Sequence, residues 1–274
     1  DMIVQSGQIT DQYKEEGSGD IPSSISENVL FLPENFPEKT SYQNLYGILS
    51  MKYVPYNDNM NNFSNNAEIR ELNVDTSAWK TFNRAFIYNI FLYKINEGNI
   101  IDCSGLTQSG NFTNSFYGCS CIEELNFINL PDYAIKADGM LSLAPDIIPD
   151  KLKTVSFSPK FKLSNATTLF DGRISLEEVI GELDFSAIID IHEQNRPFTR
   201  CTSLAEIRFT KESIKYNLSF TQSSQLSDES IQSILDGLAT VSSTQTLAFN
   251  SAVYAKLTEE QKQSAADKGW TITG

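Results

Sequence analysis

An internal repeat constrains this chain more than any other feature. Counting forward from a phenylalanine, Phe63 is followed by Ile69 at plus six, Glu71 at plus eight and Leu72 at plus nine. Phe116 has Ile122, Glu124 and Leu125 at the same offsets, Phe170 has Leu176, Glu178 and Val179, and Phe198 has Leu204, Glu206 and Ile207. A weaker copy starts at Phe86, with Leu92 and Ile95 but Lys94 in place of the acid. Another shows only its end, Leu152 to Phe157, where Pro145 and Pro149 disturb the approach. The anchors lie 23, 30, 54 and 28 residues apart, so the unit is somewhat under 30 residues. A unit of that length cannot bury its own apolar face and must stack on its neighbours to share one core.

The end of each copy, as in Ile122 to Phe127 or Leu204 to Phe209, alternates apolar and polar residues and predicts a short strand. Leu125 and Phe127 then point inward, Asn126 and Arg208 outward. The anchor phenylalanine is expected in a turn or a single helical turn, plugging the core between coils.

Outside the repeats the pattern changes. Residues 1–58 read as an N-terminal arm and cap, with an acidic flexible stretch at 15–20, prolines at 22, 33 and 37, and one candidate strand, Val29 to Leu32. The Asn-rich stretch 56–62 is a loop; it lacks the glycine and the downstream bidentate glutamate of a calcium loop. Residues 59–222 form the repeat body and 223–274 a helix–strand–helix–strand cap. Ser227 caps the first of these helices, and Thr258-Glu-Glu-Gln261 is a capping box opening the second. Lys268-Gly269 closes that helix, and Trp270 to Ile272 returns as a strand.

The residues that carry the repeat resemble a known family. Phe198-Thr-Arg-Cys201-Thr-Ser-Leu204-Ala-Glu-Ile207-Arg-Phe209 is similar to the F-x-x-C-x-S-L-x-x-I-x-F unit of BspA-type leucine-rich repeats. Phe116 to Phe127 fits the same unit, and Phe63 to Ser77 resembles the variant whose strand is followed by Asp-Thr-Ser. The stretch Leu226 to Ile272 is similar to end-caps in surface proteins of gut bacteria and in tail-associated proteins of their phages. Asn66 and Arg173 depart from the pattern at the cysteine position. The resemblance covers roughly residues 60–274 and implies an α/β solenoid: a leucine-rich repeat of five to seven coils with short parallel strands, an N-terminal arm and a C-terminal α/β cap. It also implies adhesion and recognition of protein or glycan at a cell surface, and it brings no catalytic residue set.

Charge and composition narrow the function further. Lys and Arg number 21 against 35 Asp and Glu, a net charge of -14, which repels phosphate backbones and anionic lipid surfaces. Nucleic acid is therefore not expected as a partner. Membrane insertion is not expected either, because the longest apolar runs, such as 86–95, fall short of the roughly 20 residues a spanning helix needs. The four cysteines, Cys103, Cys119, Cys121 and Cys201, read as buried thiols, with two disulfides as the alternative; Cys-x-Cys at 119 and 121 is no zinc spacing. No metal and no cofactor is expected. The single histidine, His192, between Asp190 and Glu193, reads as a loop residue. Asn-x-Ser/Thr sequons begin at Asn62, Asn111, Asn165 and Asn217 and matter only in a eukaryotic secretory pathway.

Two sets of side chains compete as a site. Glu71, Glu124, Glu178 and Glu206 would form an acidic file along stacked coils, and paired carboxylates can cleave glycosides; a position set by the repeat, however, argues for scaffold over catalysis. The tyrosines concentrate in the first half of the chain, and Tyr53, Tyr56, Tyr88, Tyr93 and Tyr117 are the candidate binding residues. The competing reading is that they seal the edge of the solenoid. The expected function is thus a non-enzymatic, extracellular or cell-surface binding module for protein or glycan. A phage virion (tail or fibre) protein recognising a host surface is the second reading, with an oligomer possible, and a carbohydrate-active solenoid enzyme the third.

Overall fold

The computed structural model describes residues 63, 69–145, 147, 149–189 and 196–274, with the backbone of Val29–Leu32 (β1) and Gly47–Met51 (β2). Tyr53, Tyr56, the 56–62 loop, the acidic stretch 15–20 and His192 lie outside the described residues.

Strands form where the repeat ends alternate. They are Ile69–Val74 (β3), Lys94–Ile95 (β4), Ile100–Asp102 (β5), Glu124–Ile128 (β6), Ile135–Lys136 (β7), Thr154–Asn165 (β8), Glu178–Asp184 (β9), Glu206–Phe209 (β10) and Leu218–Phe220 (β11). Asp228–Gly237 (α1), Gln245–Phe249 (β12), Ser251–Tyr254 (α2), Glu259–Asp267 (α3) and Trp270–Thr273 (β13) complete the order. Three sheets result, β1-β2-β3-β4, β5-β6-β8-β9-β10 and β11-β12-β13, with β7 added beside β8. Every pairing is parallel. The register aligns the buried positions of successive repeats: Leu125 with Val155, Val155 with Val179, and Phe127 with both Ile101 and Phe157.

Between β3 and β9 the described connections are runs of tight turns, with one 3-10 turn at Glu97–Asn99, and the anchors sit in these turns. From Phe63 to Phe170 the anchor amide donates to the carbonyl just before the next anchor: Phe63 to Ala85 at 3.2 Å, Phe86 to Ser115 at 2.8 Å, Phe116 to Met140 at 2.8 Å, Leu141 to Leu169 at 3.0 Å and Phe170 to Pro197 at 2.8 Å. Leu141 is therefore the anchor of the copy that shows only its end in the sequence. It divides the gap of 54 into 25 and 29 residues, and five extra residues around Pro145 and Pro149 delay its strand. Ring stacking follows the same line, Phe63 on Phe86 at 5.8 Å, Phe86 on Phe116 at 4.7 Å, Phe170 on Phe198 at 5.8 Å and Phe198 on Phe220 at 4.7 Å.

A second core column lies four residues before the anchors. Phe82 and Phe112 stack there at 4.9 Å, while the next two repeats place Ala137 and Ala166 in the column. The space those alanines leave is filled from β8, whose Phe161 meets Phe112 edge-on at 5.7 Å. Close packing is thus conserved by exchanging volume between repeats.

At both ends of the repeat body a parallel sheet continues outward. β1 and β2, inside the 1–58 arm, already belong to the parallel sheet of β3. At the other end β11 pairs with β12, and Phe220 stacks on Phe249 at 6.1 Å, so a sheet crosses the boundary at 222. The helix caps stand as expected: the Ser227 hydroxyl accepts from the Ser230 amide, and Thr258 with Gln261 makes the reciprocal capping box. The short α2, capped by Asn250, carries too little periodicity to be read from sequence.

Candidate binding surface

Left-handed backbone stands on both sides of the anchors Phe86, Phe116 and Phe170, before Leu141 and after Phe198. Two residues before the anchor stand Arg84, Asn114, Gly139 and Thr168, and two residues after it Tyr88, Gly118, Gly172 and Arg200, all at positive φ. Left-handed backbone costs a non-glycine residue roughly 1–2 kcal/mol. Glycine removes that cost at 118 and 172, and Arg200 is held by its guanidinium, 3.0 Å from Asp171 and 3.2 Å from the Leu143 carbonyl. Tyr88, at φ 59, is a bulky residue where two sister repeats use glycine.

Around Tyr88 three repeats converge. The Tyr117 ring stands at 87° to it with centroids 5.2 Å apart. Gly118 lies beneath, since a Cβ there would come within 2.8 Å of Tyr88 Cδ1 and 3.4 Å of Ile147 Cδ1. Tyr88 and Tyr117 are thus brought together, and Ile147 joins them from the insertion that follows Leu141. Tyr93 stands further along, before the strand. Its hydroxyl bonds the Glu71 carboxylate, which in turn lies 3.5 Å from Lys94 Nζ. That bond to Glu71, with burial and the negative charge, raises the phenol above its usual range despite a small opposing effect of Arg70.

Tyr88, Phe91 and Tyr93 are 39%, 51% and 46% exposed, three large rings reaching solvent within six residues. Sequence reasoning missed Phe91. The signal was available in the alignment of the copies: at the positions of 88, 91 and 93 the sister repeats carry Gly118, Cys121 and Glu123, Gly172, Ser175 and Glu177, or Arg200, Ser203 and Ala205.

The acidic file is broken. Register places Lys94 beside Glu71 and Thr154 between Glu124 and Glu178. Glu206 accepts from the hydroxyls of Ser227 at 3.0 Å and Ser230 at 3.2 Å, so it serves the start of α1. Among the described residues no three His, Cys, Asp or Glu side chains group as metal ligands, and no helix is long and apolar enough to cross a membrane.

The cysteines are thiols, none of them disulfide-bonded, with Cys103, Cys119 and Cys201 buried and Cys121 half-buried. Burial pushes the Cys119 thiol up to about 12, against a smaller opposing effect of Arg173. A thiol so shielded is a hydrogen-bond donor and not a nucleophile.

Comparison with protein-family models, with curated proteins and with solved structures finds no match.

Proposed function

We propose that the chain is a non-enzymatic recognition module: a leucine-rich-repeat solenoid outside the cell that binds protein or glycan through one aromatic segment of its surface. The observation that carries this reading is the set Tyr88, Phe91 and Tyr93. The sister repeats fold with glycine, serine, cysteine, arginine, alanine or glutamate at those positions, so the rings are not required by the repeat. Exposing three of them, one on strained backbone, has a cost that folding alone does not return. The parallel register and the ladder of anchors support the solenoid part of the reading.

Labelled protein applied to intact bacterial cells, and to immobilised mucin and host matrix proteins, tests it. Saturable binding to one of these surfaces is expected. Binding to particular bacterial cells, together with a symmetric oligomer in solution, would favour the second reading, a virion protein recognising its host. Absence of saturable binding to every surface would contradict recognition altogether.

A further inference from the structure

Resting on the recognition reading, we infer that the partner is an uncharged stretch of glycan, held by stacking of sugar rings on Tyr88, Phe91 and Tyr93. Area decides first. An aromatic side chain offers roughly 150–250 Å2, so three rings exposed by 39%, 51% and 46% present on the order of 300 Å2. A stable protein partner covers about 800 Å2 on each side and needs an apolar centre. The exposed rings fall well short of that, yet they suffice for a chain of a few sugars. Residues 88 to 93 span at most about 17 Å even fully extended, the reach of a short oligosaccharide.

Shape and charge point the same way. Tyr88 and Tyr117 meet edge to face at 87°, so their rings form a corner and not a parallel stack. The negative face of an aromatic ring attracts the weakly positive C–H groups of a sugar. Beside Tyr93 the charges are mixed, Arg70 and Lys94 against Glu71, with Lys94 engaged by Glu71 at 3.5 Å. The following repeat adds Glu123 and Glu124. Three acids against two bases nearly balance beside the rings, on a chain whose net charge of -14 already disfavours an acidic ligand, while the carboxylate, amine and phenol groups offer hydrogen bonds to sugar hydroxyls.

The test uses the whole chain on the surfaces to which it binds, treated beforehand with periodate, which cleaves sugar diols, or with protease. Binding lost after periodate, kept after protease and unchanged within about twofold between roughly 0.05 and 0.5 M salt is expected, since a neutral contact is not screened. The variant Tyr88→Gly, Phe91→Ser, Tyr93→Ala should weaken it by about tenfold or more, with the unfolding transition retained as the check on folding. Binding abolished by protease but not by periodate would establish a protein partner and overturn the inference while leaving recognition intact. Steep loss with salt would overturn the uncharged assignment. Full affinity in the variant would overturn the aromatic segment as the contact.

Discussion

The thiol of Cys119 donates to the backbone carbonyl of Phe86 at 3.0 Å, tying the third residue after one anchor to the anchor of the repeat before it. Cys201 does the same to Phe170 at 3.3 Å, and Asn89 to Phe63 at 2.6 Å. Ser223 reaches the Cys201 carbonyl at 2.9 Å. The cysteine in this repeat is thus one of several donors that satisfy carbonyls turned inward by the turns. Replacing Cys119 by alanine removes one of three donors to the Phe86 carbonyl, which keeps the Asn89 backbone amide at 3.3 Å and the Asn89 side-chain amide at 2.7 Å, so it should cost about 0.5–1.5 kcal/mol, and serine, which still donates, should cost less. Urea unfolding of the two variants measures the difference.

Where the Leu141 repeat has Ala144 at that position, the donor is missing and Arg173 supplies it from the next repeat. Its guanidinium is 1% exposed, bonds the Leu141 carbonyl, extends to the Phe116 carbonyl at 3.4 Å in place of the missing donor, reaches Cys119 O at 2.8 Å, and pairs with buried Asp150 at 3.0 Å. Asp150 in turn accepts from the Ser175 amide at 3.0 Å. Arg173→Met strands a buried carboxylate and should cost about 3–5 kcal/mol. Arg173→Met with Asp150→Leu should recover part of that loss, leaving the carbonyls unpaired. A double-mutant cycle by chemical denaturation reads the coupling.

Acid should act through Asp184. Burial pushes its carboxyl up, but the bonds from Ser186 and the charges of Lys160 and Lys162 outweigh burial and hold it below the ordinary value. A group whose folded pKa lies below its unfolded one, about 3.9 for aspartate, contributes stability that is present above the unfolded pKa and is lost as pH falls through the folded one. Asp184→Asn should lower stability at pH 7 and flatten the dependence on pH below about 4. Unfolding midpoints taken from neutral to acid pH would show both effects; an unchanged acid limb would contradict them.

Gly181 lies at φ 89 in β9, and a Cβ there would come within 2.4 Å of the Phe157 carbonyl. It sits opposite the register shift that lets β8 continue past residue 157 to Asn165. Gly181→Ala should cost at least about 1–2 kcal/mol from the backbone alone, with further loss from the clash, read as a lower thermal midpoint.

Much of this architecture was legible because a stacked repeat must place the same residue type at the same offset. Phe116, Ile122, Leu125 and Phe127 announce their strand and their inward faces directly. Leu141 was not legible, since leucine replaces the aromatic anchor and the five-residue insertion shifts every later offset. The second half of β8 was hidden for a related reason: its register depends on a glycine in the neighbouring strand, Gly181, and not on its own alternation. Tyr88 and Tyr93 were found by residue type, and Phe91 was not, because exposure at one position of one repeat follows from comparing the copies, not from composition.

The most direct measurement pairs stability with binding in one variant, Tyr88→Gly, Phe91→Ser, Tyr93→Ala, which borrows its residues from the sister repeats. Relief of left-handed backbone at 88, about 1–2 kcal/mol, offsets the lost Tyr88–Tyr117 contact, about 0.5–1.5 kcal/mol, so unfolding should stay within about 1 kcal/mol of the parent. Binding to the surface that the parent recognises should fall by about tenfold or more. A variant that unfolds well below the parent would make the rings part of the core, and one that binds as tightly as the parent would place recognition elsewhere on the chain.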